Sequence, residues 1–260
     1  MNTARPIAIR GKPIAQGKLP LICTPLVGRT QQALLAELDV ILPKRPDVLE
    51  WRVDFFEAIA DTSAVLSAAA AIKSIAGGVP LLFTRRSTLE GGERIPLAED
   101  GALALYEAVC QLGHIDLIDY EMANDAAHVA RVRACATANG VTLVLSFHDF
   151  AGTPDANALV HKFLQAAQLG ADVAKVAVMP RNMDDVLTLL TATRTASTQT
   201  HIPLIAMSMG PMGAISRVAG WMFGSTLTFA VGASGSAPGQ IPLEDLRLTL
   251  EVLQRAAAPR

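Results

Sequence analysis

Apolar residues along this chain follow two alternating rhythms. Short, nearly continuous apolar runs rich in β-branched and small residues fall at 21–25, 48–54, 81–86, 116–121, 142–148, 172–178, 203–207 and 226–231. Such runs predict strands buried on both faces. Between them, apolar residues recur at three- and four-residue spacing, as at 31–41, 63–75, 101–112, 125–138 and 157–169. That spacing predicts helices with one buried face. Asp155, just after Pro154, is placed to cap the last of these. Strand starts recur about every thirty residues, the length of a βαβ unit. Eight such units predict a (β/α)8 barrel. A doubly wound sheet is the second architecture, but it opens on a glycine-rich turn. Thr24-Pro25-Leu26-Val27-Gly28 is no such turn. Ahead of the first strand, Pro6-Ile7-Ala8-Ile9 and Pro13-Ile14-Ala15 flank Arg10-Gly11-Lys12. This predicts a β-hairpin, an appendage over 1–19 covering one end of the core. No linker or charge run divides the chain, so 1–260 reads as a single barrel domain.

Composition narrows the partners. Hydrophobic residues make up 51%, enough for a large core, and the net charge of −2 gives no electrostatic case for nucleic acid or an anionic membrane. Cys23, Cys110 and Cys135 have no metal-like spacing. They read as reduced thiols of a cytosolic protein. Residues 1–18 are broken by Pro6, Gly11, Pro13 and Gly17 and hold no signal-peptide core. No apolar run reaches the ~18 residues of a membrane span.

The candidate chemistry centres on Lys175, in the middle of the apolar run 172–178. Burying an unpartnered ammonium is costly. Such a lysine either snorkels to the strand end or loses its proton, its pKa falling from about 10.4. The neutral amine is a nucleophile able to form a Schiff base. On the preceding strand, Val144, Ser146 and His148 share a face, and Val173, Lys175 and Ala177 share one on the next. An amine and an imidazole base on adjacent strands are more specific than either residue alone.

Other strand ends add charge. Glu50, Arg52 and Asp54 lie on one face of their strand, opposite Trp51 and Val53. They fit either a ligand-binding mouth or a structural ion-pair network. Arg86 ends the third strand, and Glu90 precedes Gly91-Gly92, which lets its loop bend back. Taken singly, each also fits a solvated loop residue. After the seventh strand, Arg217 lies near a helix start at about Ala214 and suits an anionic group. The Gly/Ser/Ala/Pro loop 232–242 reads as a phosphate cradle or a lid.

Taken together, six motifs resemble the type I 3-dehydroquinate dehydratases over nearly the whole chain. They are Glu-Trp-Arg-Val-Asp at 50–54, Arg-Ser-x-x-Glu-Gly-Gly at 86–92 and Ser-Phe-His-Asp-Phe at 146–150. Then come Ala-Lys-Val-Ala-Val-Met-Pro at 174–180, Met-Ser-Met-Gly-x-x-Gly-x-x-Ser-Arg at 207–217 and Ser-Ala-Pro-Gly-Gln at 236–240. The resemblance implies dehydration of 3-dehydroquinate to 3-dehydroshikimate, the third shikimate-pathway step towards chorismate and the aromatic amino acids. It implies no cofactor and no metal, and a cytoplasmic homodimer as the expected form. Lys175 would form the imine, and His148 would move the proton. Glu90 would orient His148. Arg217 would hold the substrate carboxylate. Glu50, Arg52 and Arg86 would bind ring hydroxyls, with Ser236 and Gln240 closing from the lid. Arg86, not Arg85, fits the spacing to Glu90.

Two other functions fit the residues. A class I aldolase or transaldolase also uses a barrel lysine, and would bind phosphate where the dehydratase needs a carboxylate. A catalytically dead barrel that binds a metabolite would more often have lost Lys175 or His148.

Overall fold

The computed structural model describes residues 5–14 and 19–257. Its strands and helices alternate in chain order: β1 (Ala8–Ile9), β2 (Lys12–Pro13), β3 (Leu21–Leu26), α1 (Gln31–Ile41), β4 (Val48–Arg52), α2 (Thr62–Ala76), β5 (Leu81–Thr84), α3 (Glu99–Leu112) and β6 (Leu117–Glu121). There follow α4 (Ala126–Asn139), β7 (Thr142–Asp149), α5 (Ala156–Gln168), β8 (Val173–Val178), α6 (Met183–Gln199), β9 (Leu204–Ser208), α7 (Ala214–Ala219), β10 (Leu227–Val231), β11 (Ile241–Pro242) and α8 (Leu243–Ala257). Strands β3 to β9 pair in parallel with their sequence neighbours, and β10 returns to pair with β3. Between β9 and β10 the wall is held by a Leu204–Ser225 bridge and by Thr226 N donating to Leu204 O at 2.7 Å. This is the expected (β/α)8 barrel. No helix among the described residues is long and apolar enough to cross a membrane.

Five helices start at a polar residue that precedes the apolar period. Thr30, Asp61, Asp125, Asp155 and Asn182 each accept a backbone N–H of the first turn. A cap of this kind typically contributes about 1 kcal/mol.

Apolar alternation sorts the strand residues into two layers. Inside the barrel, Leu21, Cys23, Val48, Leu82, Leu117, Val144, Val173, Ile205 and Leu227 form a floor. Ile7 joins them from the N-terminal segment at 1% exposure. Outward-facing residues pack on the helices. There Trp51, Phe83, Tyr106 and Tyr120 stack edge-to-face, with centroids 5.4 to 5.6 Å apart.

The predicted hairpin is present as β1 and β2, with Ala8 opposite Pro13. Ala15 lies outside the described residues. Two strands end earlier than expected. β4 stops at Arg52, and Val53–Phe55 form a 3-10 turn. β5 stops at Thr84, because the backbone N–H of Arg86 turns to Asp54 Oδ1 at 3.3 Å. The two-residue β11, inside the expected lid segment, extends the sheet beside β10.

Candidate active site

Strand register builds the site. Ser146 lies opposite Lys175, and His148 opposite Ala177, across β7 and β8. Asp119 pairs with Thr84 on one side and Val144 on the other, and Glu121 with Ser146. Glu50 and Arg52 pair with Leu82 and Thr84. All the polar side chains in this set face inward, one layer above the apolar floor.

Lys175 is 4% exposed, yet it has not reached the strand end. Its Nζ donates to Asp119 Oδ2 at 2.7 Å and lies 3.6 Å from Glu50 Oε1. The Phe229 ring lies under the amine at 4.8 Å. The snorkelling alternative is therefore not what the chain adopts. Nor is Lys175 the unpartnered amine that sequence reasoning began from, since two carboxylates flank it. Glu50 also accepts from Thr84 Oγ1 at 3.0 Å.

Asp119 is the hub. Its second oxygen accepts Arg86 Nη2 at 2.7 Å and Ser146 Oγ at 2.6 Å. Burial works to raise its pKa, but Arg86 and Lys175 outweigh this and hold it well below the usual carboxylate range. Arg86 Nη1 reaches Ser146 Oγ at 2.9 Å, Glu121 Oε1 at 3.1 Å and Glu90 Oε2 at 3.4 Å. The doubled arginine is thus resolved: Arg86 faces inward, while Arg85 faces outward and pairs with Glu99 on α3.

His148 Nδ1 lies 2.8 Å from Glu90 Oε2, which also accepts the His148 backbone N–H at 3.1 Å. Burial, with Arg86 and Lys175 adding to it, holds the imidazole well below its usual value. Burial likewise raises Glu90, against the pull of Arg86, to about 8. The donors aimed at Oε2 suit the ionised carboxylate with the proton on Nδ1. His148 Nε2 is then the lone-pair nitrogen.

Arg52 grips Asp54 through two bonds of 2.8 and 2.7 Å, so part of the predicted charged face is an internal ion pair. Arg217 differs from the other inward arginines. It is 1% exposed and has no acidic partner among the described residues. Its bonds go to the carbonyls of Phe229 at 3.4 Å and Pro238 at 3.2 Å. Burial alone lowers it to about 10. A buried guanidinium lacking a counter-ion suits an incoming anion.

The 232–240 loop lies over these groups. Arg52 Nη1 donates to Ser236 O at 3.4 Å, and Gly210 N to Pro238 O at 3.2 Å. Ser236 and Gln240 are tied together, the Ser236 N–H donating to Gln240 Oε1 at 3.0 Å. Gly239, at φ +74°, packs so tightly that an added Cβ would lie 2.1 Å from Gly210 O. The cavity beneath the loop is lined by all nine residues singled out from the sequence: Glu50, Arg52, Arg86, Glu90, His148, Lys175, Arg217, Ser236 and Gln240.

Sequence reasoning missed Asp119 and Glu121. They sit two apart on β6, and the alternation used for β7 and β8 marks them as a shared inward face.

The fold and cavity together define a barrel enzyme that presents an amine, an imidazole and an anion-seeking guanidinium to one small molecule. Comparison with known proteins gives the family. The family model described as type I 3-dehydroquinase matches residues 22–257. The 3-dehydroquinate dehydratase of Albidiferax ferrireducens is 62% identical, the match covering 98% of this chain and 97% of that one. The crystal structure of 3-dehydroquinate dehydratase from Geobacillus kaustophilus superposes with a TM-score of 0.95 at 48% identity, covering 99% of this chain and 100% of that one. The type I enzyme of Clostridium difficile, solved with covalently modified comenic acid, gives 0.92 at 37% identity, with coverages of 97% and 99%. The chain belongs to the type I 3-dehydroquinase family and is a hydro-lyase.

Proposed function

We propose that the cavity dehydrates 3-dehydroquinate to 3-dehydroshikimate through an imine on Lys175. The observation that carries this reading is the convergence of Lys175, His148 and the unpaired Arg217 on one cavity. The C3 ketone sits at Lys175 when the C1 carboxylate sits at Arg217. Lys175 adds to C3, and loss of water gives the protonated imine. That cation accepts the electron pair released when His148 Nε2 takes the C2 proton. The resulting enamine expels the C1 hydroxyl, which leaves as water with the proton His148 has carried. Hydrolysis of the conjugated imine then frees the product and restores the amine. No cofactor or metal enters this sequence.

Supporting groups follow from their contacts. Glu90 fixes the His148 ring and the tautomer. Asp119 balances positive charge on Lys175, first as ammonium and later as iminium. Glu50, Arg52 and Arg86 bind ring hydroxyls, and Ser236 and Gln240 close over them. The family reading extends to a cytoplasmic homodimer of single-domain chains in the shikimate pathway, and light scattering on the purified protein checks the dimer.

Mixing the protein with 3-dehydroquinate tests the reaction directly, by the conjugated enone absorbance of the product. Borohydride then separates the two central residues. Lys175→Ala should lose both turnover and adduct. His148→Ala should lose about 10²–10⁴ in rate, yet still trap an adduct on the peptide holding Lys175. An adduct on another lysine would remove Lys175 from its role.

A further inference from the structure

We infer that Phe150 is a positioning residue, whose ring wedges the Glu90 turn into register with His148. The inference rests on the dehydratase reading above and extends it to a residue to which that mechanism gives no task.

The turn needs a wedge. Residues 87–92 leave β5 and bring Glu90 back over β7, with Gly92 N donating to Ser87 O at 2.8 Å. Leu89, beside Glu90, is 93% exposed, so the apolar side chain of the turn itself anchors nothing. Gly91 takes φ +83°. The space that a Cβ there would occupy is filled by Phe150, with ring atoms Cε2 and Cζ 2.3 Å from the Cβ position. The ring therefore lies directly on the Gly91 backbone, one residue from the carboxylate that holds His148. On the opposite side of the turn, the Gly92 backbone presses on Arg86, where a Cβ would meet the carbonyl oxygen at 2.0 Å.

Phe150 is itself held from behind. Asp149 Oδ1 accepts the backbone N–H groups of Ala151 at 2.8 Å and Gly152 at 3.1 Å. Met179 N, just past β8, donates to Asp149 O at 2.9 Å and lies 3.2 Å from Gly152 O. A pinned turn thus presents an apolar ring to a loop that is otherwise tied by polar bonds. The ring also lines the cavity wall beside Glu90 and His148. In this role the ring also shields Glu90 from water entering at the mouth.

Two measurements test this on the full chain. Phe150→Ala should lower kcat about 10–100-fold, the range for a small displacement of a catalytic group, with little change in KM. In the free protein with ¹⁵N-labelled histidine, the step in the His148 signal that follows Glu90 ionisation should move to lower pH, because water reaching Glu90 relieves the burial that raises it. Phe150→Leu, which retains apolar bulk on Gly91, should restore most of both. An unchanged kcat and titration in Phe150→Ala overturns the proposal. So does lost turnover with an unmoved titration, which would mean that the ring acts on substrate alone. Equal damage in Phe150→Leu and Phe150→Ala overturns it as well. The titration needs no substrate, so it judges Phe150 even if the wild-type chain fails to dehydrate 3-dehydroquinate, a result that strikes the dehydratase reading instead.

Discussion

Lys175 Nζ and Asp119 Oδ2 meet at 2.7 Å inside the barrel, and the other Asp119 oxygen is held by Arg86 at the same distance. One carboxylate therefore serves two buried cations, and removing it takes from each its shortest ion pair, leaving Lys175 with Glu50 at 3.6 Å and Arg86 with Glu121 at 3.1 Å and Glu90 at 3.4 Å. Asp119→Asn should cost about 3–5 kcal/mol of stability, the range for breaking a buried pair. The pH dependence has a definite sign. Asp119 titrates well below the usual range in the folded chain. Its contribution is present above the unfolded value of about 3.9 and fades as pH falls through the folded one. Urea unfolding should show a large gap between variant and wild type at pH 7, narrowing in acid. A constant gap at every pH would contradict the ionic role.

Glu90→Gln should separate stability from catalysis. Burial raises Glu90 to about 8. Stability from the protonated form is complete below the unfolded value of about 4.3 and is lost as pH rises through 8. The loss runs at no more than about 1.4 kcal/mol per pH unit. The amide does not ionise, so the Tm advantage of the variant should grow between pH 5 and pH 8, while kcat falls. A variant less stable than wild type at pH 8 would count against this balance.

In the wild type, the same pair governs the pH profile of kcat. His148 Nε2 acts as a base when Glu90 is ionised and Nδ1 carries the proton. Turnover should rise from neutral pH and level off above about 8. A rate that falls across that interval would assign the base elsewhere.

Arg217→Lys keeps the charge and removes the planar fork. A bidentate carboxylate contact becomes a point contact, so KM for 3-dehydroquinate should rise markedly. Unchanged kinetic constants would exclude Arg217 from carboxylate binding.

Gly239→Ala should keep the lid from seating. The new methyl would meet Gly210 O at 2.1 Å, and φ +74° is already unfavourable for alanine. KM should rise and limited proteolysis should cut within 232–240, with the Tm nearly unchanged. Wild-type KM with full protease resistance would show that the loop seats in another way.

Much of this site was legible because alternation is strict inside strands. Once β7 and β8 are taken as neighbours, Ser146, His148 and Lys175 must face inward, and they do. Where a strand stops, that logic stops as well. Arg85 and Arg86 follow the end of β5, and only the turn of the Arg86 backbone towards Asp54 decides which one enters the barrel. The partnership of Asp119 with Lys175 was legible in part. Period two puts Asp119 on the inward face of β6, but no spacing says that its carboxylate reaches across β7 to β8. The wedge of Phe150 on Gly91 joins two loops and leaves no periodic trace.

At the bottom of the barrel, Ile7 is buried as part of the apolar inner layer. The side chain reaches the inner layer ahead of β1, among Leu21, Cys23, Leu117 and Val144. The charges above that layer interact as strongly as they do because the medium below them is oil-like, and water entering from beneath would move them towards the screening of bulk solvent. The strength of the field that Asp119 exerts on Lys175 is thus partly set by a residue at the far pole of the molecule. A polar substitution at Ile7 touches no reacting atom, yet electrically it is a change to the catalytic centre.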